Sequence, residues 1–399
     1  MLGRVSHLQA SRGGHRHRPW VAPLAPRSPE EVHRAATPLE LFFDLVIVVA
    51  VAQAARGLHH ALSEGHFGSG VLMYSMVFFG VWWAWVNFTW FASAYDNDDV
   101  VYRLLVLLQL TGALVFAAGI PSFEHGDRRV GVSGYVLMRL ALVTLWLRAA
   151  KADPPRRRAL RRYALGVFLV QVAWTALLLL PRELGFVGFW TLAAVELLVP
   201  AWAERAARTS WHPEHIAERY GLFTLITLGE SILAASVAVR SATEAGASAI
   251  GLLPIIAGGL LIVFSFWWLY FERPGHEVLT SVRAAFVWGY GHYFVLGAAA
   301  AVGAGLAVAV DHATQGAGIS DLAAGATVAV PVAVYLVCLW FLHARSERSF
   351  AARVVTPALV AGVLLTPFTK QAVLFTGLLM AGLTAFKAQQ AARHRGVIG

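Results

Sequence analysis

The chain has 399 residues, of which 58% are hydrophobic and 14% are charged, with a mean hydropathy of +0.61. A soluble domain usually carries about 25% charged residues, so this composition excludes an ordinary water-soluble protein. The charges lie in short clusters between apolar runs of 18 or more residues, a pattern that indicates membrane-spanning helices. The single cysteine, Cys338, lies inside such a run, so no disulfide framework is expected.

We predict an all-α, polytopic transmembrane bundle of about twelve spans. A helix rises about 1.5 Å per residue, so about 20 residues cross the hydrocarbon core. Ten runs meet this length, whereas the last two are short and separated at Pro367, so the count is ten to twelve. The predicted spans are residues 39–58, 69–91, 100–120, 130–149, 161–180, 184–203, 217–239, 248–271, 283–309, 322–343, 354–369 and 371–387.

The distribution of lysine and arginine predicts the orientation of these spans. If the N-terminus is cytoplasmic, the cytoplasmic segments hold 25 of the 32 basic residues, the opposite side holds six, and Arg139 lies within a span. This asymmetry follows the positive-inside rule. It also argues against nucleic acid as a partner, because such charges orient helices and face anionic lipid.

Four segments follow from this reading. Residues 1–37 are a basic tail rich in Arg, His, Pro and Gly, without the apolar core of a signal peptide, and we expect the tail to be disordered. Residues 38–204 form the first six-helix half and residues 205–387 the second. Residues 388–399 form a second cytoplasmic tail.

Two pairs of similar segments suggest that the halves are parallel repeats. Glu40-Leu-Phe-Phe-Asp44 opens the first span and Glu218-Arg-Tyr-Gly-Leu-Phe223 opens the seventh. Tryptophan-rich segments end the second span, at 82–85, and the eighth, at 267–270. The offsets of 178 and 185 residues are nearly equal. Six spans per half would give both halves one orientation, as in some transporters, although interfacial aromatic belts would also explain the tryptophans.

Ionisable residues inside the spans are the first candidates for function, because each costs a few kcal/mol or more in hydrocarbon. Glu40 and Asp44 are four residues apart and share a helix face. They either line a cavity or pair with a basic side chain, for which Arg103 and Arg219 are the candidates.

Glu230 lies about 12 residues into its predicted span, near the middle of the bilayer. Gly229 beside it is expected to let another helix approach closely, and Ser231 adds a hydroxyl group. The carboxylate would serve either a proton relay, a cation site or an interhelical hydrogen bond. His292 is either a proton-exchanging group or a hydrogen-bonded core histidine. The candidates for an ion or proton path are Asp44, Glu230, His292, Glu40 and Ser231, and those for ion pairs that tune it are Arg103, Arg139, Arg219 and Glu218.

A weaker pattern suggests a metal site on the cytoplasmic face. His212, His215 and Glu218 have a spacing that could place three ligands around a divalent ion, and Asp98 lies on the same predicted face. Helix capping by His212 and local ion pairing explain the same residues. In the acidic run 96–99, an Asp N-cap and a pair between Asp99 and Arg103 are expected.

Several enzyme signatures are missing from the sequence. It has no Walker A loop, no Gly-x-Gly-x-x-Gly motif, no Gly-x-Ser-x-Gly elbow and no His-Glu-x-x-His helix, which disfavours an ATP-driven pump or a conventional hydrolase. Our leading hypothesis is a transporter or channel-like protein for a small cation, proton or small solute, without a cofactor and not an enzyme. The alternatives are a membrane enzyme acting on a lipid head group at the metal site, and a non-catalytic, stress-related scaffold or sensor.

The motifs together resemble the bacterial low temperature requirement protein A family. The resemblance rests on Pro38-Leu-Glu40-Leu-Phe-Phe-Asp44, Trp82-Trp83-Ala84-Trp85, the segment from His212 to Phe223, Leu228-Gly229-Glu230-Ser231 and Tyr290-Gly291-His292. These motifs lie between about residues 37 and 312, and the last 80 residues match only as generic hydrophobic spans. The resemblance implies a multi-pass protein of the bacterial cytoplasmic (inner) membrane, and the distribution of lysine and arginine predicts that both termini are cytoplasmic. It implies no substrate, and it leaves homo-oligomerisation open.

Overall fold

The computed structural model describes residues 19–28, 31, 34–124, 126–181, 184–315, 318–343 and 350–396. These residues form α-helices joined by short connections, and no strand occurs among them. The helices are α1 (Pro38–Ser63), α2 (Phe67–Tyr95), α3 (Val100–Glu124), α4 (Arg129–Ala152), α5 (Arg157–Leu177), α6 (Gly185–Glu204), α7 (Pro213–Glu244), α8 (Ala249–Phe271), α9 (Val282–Gln315), α10 (Asp321–His343), α11 (Phe350–Leu365) and α12 (Ala372–Gly396).

Ten of these described helices are long and apolar enough to cross a membrane, which confirms the predicted polytopic helical bundle. The two others are α5, whose first turns carry four arginines, and α11, which has 16 residues. The prediction that both final spans are short is wrong for α12. Its 25 residues continue through the polar stretch that follows Phe386, so it is long enough to span.

Local capping fixes where α1 and α7 begin. At α1, the Thr37 hydroxyl accepts a hydrogen bond from the backbone N–H of Glu40 at 3.3 Å, and the Glu40 carboxylate accepts one from the Thr37 N–H at 2.7 Å. This is a capping box, and Pro38 occupies the first helical position. At α7, His212 is the N-cap and Pro213 follows it. The two caps place charged side chains in the first turns of both helices.

Small residues set the closest helix contacts. A Cβ atom added to Gly134 of α4 would lie 2.6 Å from the carbonyl oxygen of Gly112 on α3, and one added to Gly377 of α12 would lie 2.6 Å from that of Gly258 on α8. Between helices in lipid, association depends on such packing rather than on a hydrophobic driving force. The bundle therefore relies on glycine at these crossings.

The segment that precedes α1 packs onto the bundle. Leu24 is 1% exposed, the Ala22 N–H donates to the Asp99 carboxylate at 2.8 Å, and the Arg27 N–H donates to the Ala94 carbonyl at 2.9 Å. The prediction of a disordered tail is therefore wrong for the described part of residues 19–37, because buried contacts hold it. Residues 1–18 and 397–399 of the two predicted tails lie outside the described residues.

The paired segments of the suggested repeat have different surroundings. Trp82 and Trp83 are buried, whereas Trp267 and Trp268 are 46% and 45% exposed. These positions do not share an environment, so they give the suggested repeat no support. The repeat stays a prediction.

We predict that Gly134→Ala destabilises the bundle. The new methyl group would lie within 3 Å of backbone atoms of α3, and overpacking of this kind costs about 1–3 kcal/mol. The thermal midpoint in detergent, followed by size-exclusion chromatography, would fall. Gly382→Ala is the matched control, because its Cβ would enter open space. Equal midpoints for the two variants would contradict the account of the α3–α4 crossing.

Candidate functional site

Five charged or titratable side chains meet where α1 and α7 begin. We call Arg34, Glu40, Asp44, His215 and Arg219 the buried ion cluster; each is at most 4% exposed. The two carboxylates lie one turn apart on α1, and the imidazole and the second guanidinium lie one turn apart on α7. The i, i+4 spacing on each helix thus presents one acidic and one basic face to each other.

Arg219 is the central cation of the buried ion cluster. Its Nη2 lies 2.5 Å from Oδ1 of Asp44, and its Nη1 lies 3.0 Å from Oε1 of Glu40. His215 approaches the same Glu40 oxygen, with its Nε2 at 3.1 Å. Charge-assisted contacts of this kind are stronger than neutral hydrogen bonds, so the four groups tie α1 to α7.

Arg34 closes the cluster from the preceding segment. Its guanidinium donates to the backbone carbonyls of Ala92, at 2.6 Å, and of Ser93, at the end of α2. The same guanidinium lies 4.0 Å from Glu40. The segment before α1 thereby covers the carboxylates and excludes solvent from them.

Trp85 of α2 borders the cluster on another side. Its indole N–H donates to Oδ1 of Asp44 at 2.7 Å. Its ring stacks on Phe223, with a centroid separation of 4.4 Å, and contacts the edge of Tyr220 at 4.7 Å. An aromatic layer therefore lies directly against the buried charges.

Part of the hydrogen-bonding capacity of the cluster is unused within the described chain. Nη1 of Arg219 and Oε1 of Glu40 lie close together but lack hydrogen-bond geometry. Nδ1 of His215 has no hydrogen-bond partner among the described residues. An unpaired buried polar atom costs about 1–3 kcal/mol. The carboxylate oxygen and the imidazole nitrogen among these atoms can therefore bind a proton, and the guanidinium N–H groups can bind a small polar acceptor, at a gain in free energy. The unpaired atoms are Nε of Arg34, Oε1 of Glu40, Nδ1 of His215 and Nη1 of Arg219.

Arg219, and not Arg103, is the partner of the α1 carboxylates. Arg103 forms a two-point contact with Asp98, at 2.6 and 3.0 Å. The predicted pair between Asp99 and Arg103 is wrong. Asp99 instead caps α3 by accepting from the Tyr102 N–H at 2.6 Å and binds Arg148 at 2.6 Å. Asp98 has a φ of 52°, a turn conformation from which its carboxylate reaches Arg103.

The predicted metal ligands do not come together. His212 is used as the cap of α7, since its Nδ1 accepts from the His215 N–H at 3.4 Å and its Nε2 contacts the Glu31 carbonyl oxygen at 2.9 Å. Glu218 is exposed, and Asp98 is held by its arginine partner. Within the described ranges, no group of three or more His, Cys, Asp or Glu side chains is arranged to hold a metal ion.

Glu230 lies apart from the buried ion cluster. It is half-buried on α7, and within the described chain no hydrogen bond or ion pair is assigned to it. The basic group whose charge acts on it is Arg56 of α1, which is exposed. The cluster and Glu230 thus occupy separate positions along the same pair of helices.

The close helix approach expected at Gly229 occurs two residues later. Gly229 faces open space, whereas a Cβ on Gly303 of α9 would lie 2.8 Å from the Cα of Ser231. The Ser231 hydroxyl donates to the Ala299 carbonyl at 2.9 Å. Two residues turn an α-helix by about 200°, which is why Gly229 and Ser231 face opposite sides.

His292 lies on α9 and is hydrogen-bonded in the core of the bundle. Its Nδ1 lies 2.7 Å from the Trp288 carbonyl oxygen, and its Nε2 lies 3.0 Å from the Tyr270 hydroxyl. A carbonyl only accepts, so Nδ1 carries a proton and donates it. Tyr220 contacts both the His292 ring, at 4.9 Å, and Trp85, and so lies between His292 and the buried ion cluster.

A second buried polar group surrounds Glu196 of α6. Its carboxylate accepts from the Tyr135 hydroxyl at 2.6 Å and from the Gln171 amide and Trp174 indole, both at 3.1 Å. Arg139, a predicted tuning residue, lies 3.7 Å from it. The sequence singled out Arg139 because it is charged within a span, but it gave no signal for the neutral partners.

We predict that Arg219→Gln destabilises the protein by about 3–5 kcal/mol, because it leaves two buried carboxylates without their shared cation. The measurement is the thermal or denaturant midpoint in detergent. Arg240→Gln serves as the control, since Arg240 forms an exposed i, i+4 pair with Glu244 at 2.8 Å worth about 0–1 kcal/mol. Comparable midpoints for both variants would contradict the assigned role of Arg219.

Asp96, in the turn after α2, gives a pH prediction. Burial, reinforced by the negative charge of Glu40, raises the pKa of Asp96 from 3.8 to about 6. Because the pKa of Asp96 is higher in the folded than in the unfolded state, its contribution to stability is fully present below about pH 4 and is lost as the pH rises through about 6. We expect the thermal midpoint to fall between about pH 4 and 6 and expect Asp96→Asn to remove part of this fall. An unchanged pH profile in Asp96→Asn would contradict the assignment, and the exposed Asp127→Asn is the control.

Comparison with known proteins gives the family of the sequence. A model of the family described as "Bacterial low temperature requirement A protein (LtrA)" matches residues 35–388. The match extends beyond the motifs that end near residue 312 and includes the final helices. An uncharacterized protein, RA0937, of Rhizobium meliloti (strain 1021) is 26% identical over 275 residues, which are 65% of this chain and 65% of that protein. The matched part is therefore slightly less than two thirds of that relative's length. No solved structure matches the chain. The chain belongs to the bacterial low temperature requirement A (LtrA) family.

Proposed function

We propose that this membrane protein is a proton-coupled transporter of a small cation or other small solute, with the buried ion cluster as its site of proton exchange. The observation that carries the proposal is the burial of two carboxylates, an imidazole and two guanidiniums at the contact between α1 and α7. Ionisable groups within spans are the usual components of proton relays and ion pathways.

The charge balance of the cluster supports coupling to protons. Two carboxylates face two guanidiniums, so the buried charges balance while His215 is neutral. A proton bound by Glu40, Asp44 or His215 leaves excess positive charge in a region of low dielectric, where repulsion is strong. Protonation therefore favours separation of α1 from α7, and by linkage that separation favours proton binding.

The position of the cluster supports a role in transport. α1 is the first helix of the first predicted half and α7 is the first helix of the second. In transporters built from repeats, the coupling site lies at the interface between the repeats, where one unit moves against the other. A charge cluster that joins these two helices is placed to make such movement depend on proton occupancy.

A second acidic residue and a second basic residue lie further along α7 and α1. Glu230 follows Arg219 by 11 residues on α7, and Arg56 follows Asp44 by 12 residues on α1. At 1.5 Å per residue, both separations are about 17 Å, roughly half of the hydrocarbon thickness. The buried ion cluster and these two residues therefore supply polar groups at two depths along α1 and α7. The rings of Tyr220 and Trp85 lie between His292 and the buried ion cluster, so we assign it no step.

The alternative of an enzyme acting on a lipid head group depended on a metal site formed by His212, His215, Glu218 and Asp98. The described residues give that alternative no support, because these four side chains have separate partners or lie exposed. The scaffold or sensor alternative predicts a different result. Under it, substitutions that remove a charge from the buried ion cluster leave the transport of protons unaffected.

We predict that Asp44→Asn and Glu40→Gln each reduce proton flux at least about tenfold. The protein would be reconstituted in vesicles with an internal pH-sensitive dye, and a potassium gradient with valinomycin would drive proton movement. Glu230→Gln is expected to reduce the flux as well. Glu218→Gln is the matched control, because this carboxylate lies on α7 but is exposed.

Two outcomes would contradict the proposal. One is parental flux in folded Asp44→Asn and Glu40→Gln. The other is a parent protein whose flux equals that of protein-free vesicles, which would favour the scaffold alternative. Monodisperse elution of each variant before reconstitution separates loss of transport from loss of folding.

A further inference from the structure

A deep apolar cavity lies in the first six-helix half, away from the buried ion cluster. Its volume is about 340 Å³, within the range of about 300–1,000 Å³ for small-molecule sites. Side chains of α2 to α6 line it, nearly all of them apolar. They include Leu72, Phe116, Val132, Leu177 and Phe186.

The cavity is about one leaflet deep. Along α2 its lining runs from Ser69 to Gly80, and 11 residues of helix rise about 16 Å. The hydrocarbon core of a bilayer is about 30 Å thick. The cavity therefore reaches from one membrane boundary to about the middle of the core, which is the depth that one acyl chain occupies.

Two aromatic side chains that line the cavity use their polar atoms elsewhere. The Tyr135 hydroxyl and the Trp174 indole N–H donate to the Glu196 carboxylate, at 2.6 and 3.1 Å. A ligand in contact with these two rings therefore gains from burial of apolar surface and not from hydrogen bonds.

The outer end carries a cation. Arg128 lines both the apolar cavity and an adjoining recess of about 270 Å³ formed with Asp127, Arg129 and Leu180. Asp127 is directed to the Arg129 backbone N–H, from which it accepts at 3.0 Å. No ion pair of Arg128 occurs within the described ranges. Its guanidinium therefore lies at the boundary between an apolar volume and a polar one.

We propose that this cavity binds one acyl chain of an anionic phospholipid whose phosphate is held by Arg128. A guanidinium matches a phosphate with two parallel hydrogen bonds, and the apolar depth matches a chain from one leaflet. Leu72 and Phe186 line the cavity and are 38% and 46% exposed on the surface of the bundle. A lateral entrance beside these two side chains would let the lipid enter from the bilayer without an aqueous route.

The test is lipid retention after purification in mild detergent and delipidation. Parent protein would be incubated with phosphatidylglycerol, phosphatidylcholine or the free fatty acid of the same chain length, and bound lipid would be counted by native mass spectrometry. We expect about one phosphatidylglycerol per chain, with at least a tenfold preference over the two others. Arg128→Gln should remove most of this preference, and Val132→Trp should reduce binding of all three lipids by filling the cavity.

Arg240→Gln is the control, because Arg240 is an exposed arginine on the same predicted side of the membrane and does not line the cavity. Equal retention of phosphatidylcholine, preferential retention of the fatty acid, or full retention by Arg128→Gln would each overturn the proposal. If Val132→Trp does not fold, chain-brominated phosphatidylglycerol replaces it, and the quenching of tryptophan fluorescence is compared between the parent and Trp174→Phe. The chain has 14 tryptophans, so only the difference between the two proteins reports on the cavity. Equal quenching in both would be the contradicting result, since Trp174 lines the cavity.

Discussion

The contact of Arg219 with Glu40 and Asp44 is the interaction on which the arrangement of the two halves depends. It joins α1 to α7 at distances of 2.5–3.0 Å, with all three side chains at most 1% exposed. Buried ion pairs seldom add stability over a well-packed apolar contact, because desolvation of the charges offsets their attraction. Their clearest physical effect is to fix the register of α1 against α7, because any shift between the two helices leaves a buried charge without its partner.

The surrounding structure explains how this costly arrangement is maintained. The capping box at Thr37 and the cap at His212 set the first turns of α1 and α7, so the charged side chains face each other. Arg34 and the segment before α1 cover the carboxylates, and Trp85 donates to Asp44 from α2. The segment before α1 and helix α2 therefore enclose a cluster that α1 and α7 alone would leave exposed.

The fold class could be predicted from the sequence because apolar runs of membrane length are a property of composition and period. The i, i+4 spacing of Glu40 and Asp44 likewise predicted a shared face. The choice between Arg219 and Arg103 could not be predicted, since it depends on which helices pack together. The packing of the described residues between 19 and 37 was also missed. Their composition is polar, and only the tertiary contacts of Leu24 and Arg34 show that they are held. The cavity in the first half involves side chains of five helices, and no local pattern in the sequence indicates it.

The most direct test of the central claim is a double-mutant cycle between α1 and α7. The unfolding free energy would be measured for the parent, Asp44→Asn, Arg219→Gln and the double variant under one set of detergent conditions. If the buried pair holds the helices in register, the double variant should be more stable than the sum of the two single effects implies, by about 2 kcal/mol or more. Single effects that add to within about 0.5 kcal/mol would contradict the account, because they would show that the two residues act independently.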